Sequence, residues 1–220
     1  MRVLIAILCC HHRQAYADAQ RETWIKDIPA GLDYKFFYSK NTERKAKSDE
    51  VFVDCLDDYR SLPMKVKRAV EWAYDQGYDY VFKTDDDVYV RPERLLTSGF
   101  ERYPYIGFSF LEYGAIGLAY WLNRDCMRLV TEDVPVIEQE DSWISQLMQR
   151  NKVPFHHDTR YRLVLTDRIG TIAVVPGKMP EASNDMIAVA EFAGATMHYP
   201  HKHWNESVKE YEELLGHIRI

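Results

Sequence analysis

Three consecutive aspartates are the group of residues in this chain with the clearest chemical potential. Asp85, Asp86 and Asp87 lie between residues 81–82 and 88–90, whose β-branched and aromatic side chains are typical of buried strands. Carboxylates this close raise each other's pKa unless cations or hydrogen-bond donors offset their charge. Mg²⁺ and Mn²⁺ bind such oxygens and bridge them to substrate phosphates. The pattern predicts a divalent-cation site where a sheet ends; the simpler alternative is a solvated acidic turn.

Histidines late in the chain form a second group. His198, His201 and His203 fall within six residues, and this density favours a functional, metal-binding role over three separate structural histidines. Two histidine pairs, at residues 11–12 and 156–157, are weaker candidates. The first pair follows an apolar segment and could contact a nucleotide.

The composition bounds the class of protein. The chain has 220 residues, of which 46% are hydrophobic and 28% charged, as in an ordinary globular protein with room for a large core. A net charge of -6 argues against a broad nucleic-acid or anionic membrane surface. The apolar run at residues 3–10 is too short to span a bilayer, and no small-residue cleavage site follows it. We therefore expect a soluble, cytoplasmic protein whose four cysteines, which lack CxxC spacing, are reduced.

Strands and helices alternate along the first ninety residues. Apolar composition and periodicity predict strands over residues 3–8, 34–38 and 51–53 and helices over residues 15–26 and 62–76, with a charged loop over residues 41–50. Gly77 ends the second helix as a C-cap. This βαβ order predicts an α/β fold with a mostly parallel central sheet flanked by helices. Ligands of such sheets gather at the carboxyl ends of the strands, which is where the aspartates lie.

The second half is less regular. It is expected to contain strands over residues 105–110 and 117–122, helices over 124–131 and 142–149, short strands over 153–175, a loop over 176–184 and a helix over 208–218. No internal repeat or linker is evident. We expect one domain over residues 1–220, in which residues 1–100 bind a nucleotide and residues 101–220 bind an acceptor.

Four short motifs, in order over roughly residues 3–205, carry a resemblance to a known family. AQRETW at residues 19–24 is similar to the pattern AIRxTW, and DCLDDYRSLPMK at residues 54–65 to DxxDxYxNLTxK. KTDDDVYV at residues 83–90 nearly repeats KxDDDVFV, and ED at residues 140–141 resembles the start of EDV. Together they resemble the inverting glycosyltransferases of family 31, the β-1,3-galactosyl- and N-acetylglucosaminyltransferases and the Fringe proteins.

The chain departs from that family at two places. GAIG at residues 114–117 keeps part of a glycine-rich stretch, and SW at residues 142–143 replaces the usual VY. Both lie where the resemblance places the acceptor and the transferred sugar. Trp121 and Trp143 could stack on a sugar face, with burial in the core as the alternative.

The resemblance implies a GT-A, Rossmann-like fold and a metal-dependent, inverting transfer from a UDP-sugar. The sugar would be Gal, GlcNAc or Glc, and its acceptor a hydroxyl of a carbohydrate or glycoconjugate, joined by a β-1,3 linkage. By the family's pattern Asp87 and His198 would ligate Mn²⁺ or Mg²⁺. Asp85 and Asp86 would hold the ribose, the sugar or a metal-bound water.

Two further residues have expected roles. The resemblance makes Asp141 the general base that takes the acceptor hydroxyl's proton, and its place before a helix suits an anion. The alternatives are that Asp141 is a simple N-cap and that Glu140 is the base. Arg21 could bind the diphosphate or the base of the nucleotide, or form only a salt bridge on the helix surface.

Two other classes of function fit the same carboxylates. A metal-dependent nucleotidyl- or phosphotransferase also needs an acidic group at the end of an α/β sheet. A non-catalytic carbohydrate- or Ca²⁺-binding module would need it for binding alone, although residues 85–87 do not match an EF-hand loop.

Overall fold

The computed structural model describes residues 1–40, 44–109 and 114–161, together with the backbone of three short strands beyond residue 161. In chain order the elements are β1 (Val3–Leu8), α1 (Gln14–Glu22), β2 (Leu32–Ser39), β3 (Glu50–Val53), α2 (Leu62–Asp75), β4 (Tyr80–Asp85), β5 (Val88–Val90), α3 (Pro92–Leu96), β6 (Tyr105–Gly107), β7 (Ala119–Asn123), α4 (Arg124–Glu132), α5 (Glu140–Arg150), β8 (Phe155–His157), β9 (Leu165–Thr166), β10 (Gly170–Thr171) and β11 (Ala188–Ala190). The helix predicted over residues 15–26 is divided at Thr23, where a 3-10 turn replaces α1.

One seven-stranded sheet has the order β3-β2-β1-β4-β7-β6-β8. The four strands β3, β2, β1 and β4 are parallel, β7 runs antiparallel to both its neighbours, and β8 is parallel to β6. The predicted α/β architecture with a mostly parallel sheet is confirmed. In the register of β1 with β4, Leu8 lies beside Asp85, so the loop after β1 begins next to the aspartates.

The two faces of the sheet pack against different helices. The odd-numbered residues of β1 join a core that contains Ala17 and Trp24 near α1, whereas its even-numbered residues join a core that contains Val66 of α2 and Met127 of α4. Successive side chains of a strand point to opposite faces, so a strand that is apolar throughout must be covered on both sides. All six residues of β1 are buried.

Helix α2 shows why the sequence folds as predicted here. Pro63 occupies its first turn, where the missing N–H costs nothing. Val66, Val70 and Ala73 recur at helical spacing and are fully buried. Gly77 follows with a φ of 78°, the left-handed conformation that ends helices and that other residues rarely adopt.

The aspartates lie at the carboxyl end of β4, as predicted. Asp85 ends β4, and Asp86 and Asp87 form a turn to β5, which pairs with β11 outside the main sheet. The side chain of Gln20 in α1 is only 1% exposed and forms hydrogen bonds with the backbone of this turn. Its amide nitrogen donates to the carbonyl oxygens of Asp85, Asp86 and Val88 at 3.1, 2.9 and 2.9 Å.

Several sequence predictions lie outside the described residues. They are the loop over residues 176–184, the histidines His198, His201 and His203, and the helix over residues 208–218. Within the part of the chain that the structure describes, no helix is long and apolar enough to cross a lipid bilayer.

Replacing Gln20 by leucine should destabilise the fold by about 1–3 kcal/mol, because buried carbonyl oxygens of the turn lose their donor. Gln14→Leu, at the exposed first position of the same helix, is the matched control and should change stability by less than about 0.5 kcal/mol. Urea unfolding of both variants measures the difference. Equal stabilities would show that Gln20 does not hold the turn.

Candidate active site

The acidic turn, residues 85–87, is largely removed from solvent. Asp86 is 2% exposed, and Asp87 and Asp85 are half-buried. Burial raises the pKa of Asp86, although the charge of Arg13 opposes this shift. A solvated acidic turn would not place a carboxylate in such surroundings, so this alternative is wrong.

Arg13, in the loop after β1, pairs with two of the three aspartates. Its Nη1 lies 3.1 Å from Oδ1 of Asp86, and its Nη2 donates to Oδ2 of Asp87 at 2.9 Å. Burial disfavours the guanidinium charge, but the two carboxylates outweigh it and raise the pKa of Arg13. The second oxygen of Asp86, Oδ2, is buried and has no hydrogen-bond partner among the residues that the structure describes.

Lys83 pairs with Asp85, the aspartate of the turn with which Arg13 does not pair. It lies on β4, is 1% exposed, and its Nζ is 2.8 Å from both Oδ1 of Asp85 and Oε1 of Glu140. Nζ also donates to the backbone carbonyl of Gly117. Burial raises the pKa of Asp85 to about 7, with Lys83 opposing the shift. Burial likewise raises the pKa of Glu140, again against Lys83.

Glu140 is bound on both oxygens. Oε1 pairs with Lys83, and Oε2 accepts from the hydroxyl of Tyr120 at 2.7 Å. A Cβ on Gly117 would lie 2.6 Å from Oε1 of Glu140, so glycine lets this loop approach α5 closely. Glu140 is therefore a buried structural carboxylate rather than a free base.

Asp141, the next residue, is more open. Its Oδ2 accepts from the backbone N–H of Gly117 at 3.1 Å, and its Oδ1 accepts from that of Ser142 at 2.7 Å. Helix α5 begins at Glu140 with Gln139 at the N-cap, two residues earlier than predicted. Asp141 is thus not the N-cap but lies in the first turn, where the helix dipole stabilises an anion.

A second buried lysine positions the loop after β1. Nζ of Lys65, which is 3% exposed, donates to the carbonyl of Cys9 and to Oδ1 of Asp57, both at 2.7 Å. The other oxygen of Asp57 accepts from the backbone N–H of His11 at 2.8 Å. The motif over residues 54–65 thus holds the loop that carries Arg13.

Arg21 lies in a separate ionic cluster. Its guanidinium contacts Asp49 at 2.7 Å, Asp18 at 2.7 Å and Glu50 at 3.0 Å, and it stacks over Phe36. These contacts correspond to the salt-bridge alternative given above. The contact of Arg21 with a nucleotide stays a prediction.

The aromatic candidates are divided by burial. Trp121 and Trp143 are 0% and 1% exposed, and their indole N–H groups donate to Tyr161 and Asp133, so both belong to the core rather than to a sugar platform. His11 is half-buried and stacks on Tyr38 with ring centroids 5.1 Å apart.

Sequence reasoning missed three residues that hold the acidic turn. Gln20 and Lys83 lie inside the motifs at residues 19–24 and 83–90 but had no role assigned to them, and Arg13 lies outside every motif. A signal did exist for two of them: Lys83 interrupts an apolar strand and Gln20 an otherwise small or apolar helix face, and a buried polar group requires a partner. Arg13 has no such signal, because its contacts depend on the path of a loop.

The donor set of the acidic turn fits a hard divalent cation. It offers carboxylate oxygens only, and the unpartnered Oδ2 of Asp86 is a buried acceptor that needs a ligand. Among the described residues, no group of three His, Cys, Asp or Glu side chains is already arranged to hold a metal ion. Arg13 bonds Oδ2 of Asp87, an oxygen that a cation on this carboxylate would use.

The family model and the two relatives that are similar to parts of this chain are named as glycosyltransferases. Residues 30–107 match the model of the Galactosyltransferase family. "Probable beta-1,3-galactosyltransferase 12" of Arabidopsis thaliana is 30% identical over 99 residues, 36% of this chain and 27% of that protein. "UDP-GalNAc:beta-1,3-N-acetylgalactosaminyltransferase 2" of Mus musculus is 37% identical over 54 residues, 24% of this chain and 11% of that protein. The predicted resemblance is confirmed for a segment that includes the acidic turn, while the chain covers about a quarter or less of these two relatives' lengths.

A solved structure is similar over nearly the whole chain. It is a glycosyltransferase "involved in the glycosylation of the major capsid of PBCV-1", with a TM-score of 0.58 and 14% identity, covering 96% of this chain and 100% of that one. At this identity the likeness concerns the fold alone. The fold is GT-A-like, as the motifs implied.

Lys83→Met should cost about 3–5 kcal/mol of stability, because it leaves buried carboxylates without their cation. Without Lys83 to oppose burial, the pKa values of Asp85 and Glu140 in the folded protein should rise further. A carboxyl group with a raised folded pKa destabilises the folded state as pH rises, so the loss of stability should be smaller at about pH 5 than at about pH 8. Lys67→Met is the matched control: its partner Glu71 has a lowered pKa, so that variant's deficit should be similar at both pH values. A pH-independent deficit in Lys83→Met, measured by urea unfolding, would contradict the proposed ionic link.

Proposed function

We propose that this chain is a metal-dependent, inverting glycosyltransferase that moves Gal, GlcNAc or Glc from a UDP-sugar to an acceptor hydroxyl on a carbohydrate or glycoconjugate, forming a β-1,3 linkage. The names of both curated relatives, a β-1,3-galactosyltransferase and a UDP-GalNAc-dependent β-1,3-transferase, support this class of donor and linkage. In this proposal residues 1–100 bind the nucleotide and residues 101–220 the acceptor. The cytoplasmic location expected from the sequence stays a prediction.

The observation that carries the proposal is the link between the acidic turn and α5. Lys83 contacts Asp85 and Glu140 at 2.8 Å each, and Asp141 follows Glu140 directly. The proposed site for the leaving diphosphate and the proposed proton acceptor thus lie on two elements that Lys83 connects. Transfer by direct displacement needs both in fixed relation.

On the donor side, Asp87 and His198 are the proposed metal ligands, with Asp85 and Asp86 holding the ribose, the sugar or a metal-bound water. A bound Mn²⁺ or Mg²⁺ would supply charge neutralisation for the departing diphosphate. Asp87 suits the ligand role because its carboxylate is partly exposed at the tip of the turn.

On the acceptor side, Asp141 is the proposed general base. It takes the proton of the acceptor hydroxyl as that oxygen bonds to the anomeric carbon and the bond to the diphosphate breaks. The N–H groups of Gly117 and Ser142 orient its carboxylate. Because attack occurs on the face opposite the leaving group, the product has the inverted anomeric configuration.

Asp87→Asn should abolish Mn²⁺-dependent binding of UDP while the fold remains intact, because it removes a charged metal ligand at the surface of the turn. Calorimetric titration with UDP and Mn²⁺ measures this, and Asp75→Asn, at the exposed end of α2, is the matched control. Unchanged UDP binding in Asp87→Asn would refute the metal site. Turnover of nucleoside triphosphates without release of UDP from any UDP-sugar would select a nucleotidyl- or phosphotransferase instead.

Asp141→Asn should lower sugar transfer about 10²- to 10⁴-fold while donor and metal bind normally, because the amide keeps the size but cannot accept the proton. Steady-state transfer rates and UDP affinity separate the two effects. Retained transfer would exclude Asp141 as the base. Loss of UDP binding together with transfer would indicate a structural role.

A further inference from the structure

Arg13 connects to the acidic turn in a way that the motifs do not explain. Its guanidinium bonds Asp86 through Nη1 and Asp87 through Nη2, as a fork that spans two carboxylates. It is anchored at the junction between the 3-10 turn His11–Arg13 and α1. The motif that resembles the family starts only at residue 19, so Arg13 lies outside it.

We propose that Arg13 is a resident counter-ion which a divalent cation must displace from Asp87, so that Arg13 sets the metal affinity of the acidic turn. This inference rests on the proposed metal site at Asp87. Arg13 acts on the metal through Asp87 and is therefore a positioning residue, not a catalytic one.

Competition follows from the oxygen that both cations need. Nη2 of Arg13 donates to Oδ2 of Asp87 at 2.9 Å, a charge-assisted bond. A metal ion on that carboxylate would stand close to the guanidinium, and like charges repel strongly where little water screens them. Binding of the metal therefore includes the cost of breaking the bond between Arg13 and Asp87.

The surroundings of Arg13 allow it to leave Asp87 without leaving the site. Its side chain is 23% exposed, and its Cζ lies 4.3 Å over the ring centroid of Tyr16, a cation–π contact. Its bond to Asp86 does not depend on Asp87. Asp86 and Tyr16 can thus hold the guanidinium after Asp87 has been taken by a metal.

The single charge of Arg13 does not fully replace a divalent cation at the acidic turn. One guanidinium pairs with two carboxylates, and within the described part of the chain Oδ2 of the buried Asp86 has no partner. A purely structural ion pair would be expected to satisfy its buried acceptor. The unpartnered oxygen supports a second arrangement of the turn, in which a divalent cation also balances its charge.

The test is a titration with Mn²⁺ alone, without nucleotide, followed by the electron paramagnetic resonance signal of free Mn²⁺. Arg13→Gln should bind Mn²⁺ roughly tenfold more tightly than the natural protein, since the competing charge-assisted bond is gone. Arg13→Lys keeps the charge but not the fork and should fall between the two. Arg2→Gln, which removes the same charge at the opposite end of β1, should have unchanged affinity.

The outcomes separate this inference from the proposed function. An Mn²⁺ affinity of folded Arg13→Gln that is equal to or lower than that of the natural protein would overturn the role of Arg13. If Arg13→Gln does not fold, Arg13→Lys decides by the same criterion. Unchanged Mn²⁺ affinity in Asp87→Asn would instead refute the metal site itself, whatever the arginine variants do.

Discussion

The ammonium group of Lys83 joins the carboxylate that ends β4 to the one that begins α5. It is buried and has two acidic partners at 2.8 Å each. Lys83 and Glu140 are removed from water and Asp85 is half-buried, so their pairing must offset the cost of desolvation. Because the pairing requires β4 and α5 in one relative position, it also fixes where Asp141 lies relative to the acidic turn.

The rest of the site follows from the convergence of parallel strands. The carboxyl ends of β1 and β4 lie side by side, so the loop after β1 must pass next to the aspartates. Lys65 of α2 bonds the carbonyl of Cys9 in that loop and the carboxylate of Asp57. Gln20 of α1 bonds the backbone of the acidic turn. Two basic residues pair with the aspartates of the turn, Arg13 from the loop after β1 and Lys83 from β4.

The periodic part of the fold could be predicted from the sequence. Strand β1, helix α2 with its glycine cap and the acidic turn lie where composition and periodicity indicated. The partners of the site could not be predicted, because Arg13 meets Asp87 across 74 residues and no local pattern encodes that distance. The burial of Trp143 was also undecided, since an aromatic residue in sequence shows its size but not which way its helix faces.

A crystal grown with UDP and Mn²⁺ and measured at the manganese absorption edge would show directly whether the acidic turn binds metal. We expect an anomalous peak in contact with the carboxylate of Asp87 and with the diphosphate of UDP, and a guanidinium of Arg13 that no longer bonds Asp87. UDP bound at the carboxyl ends of β1 and β4 with no anomalous peak at the acidic turn would contradict this expectation.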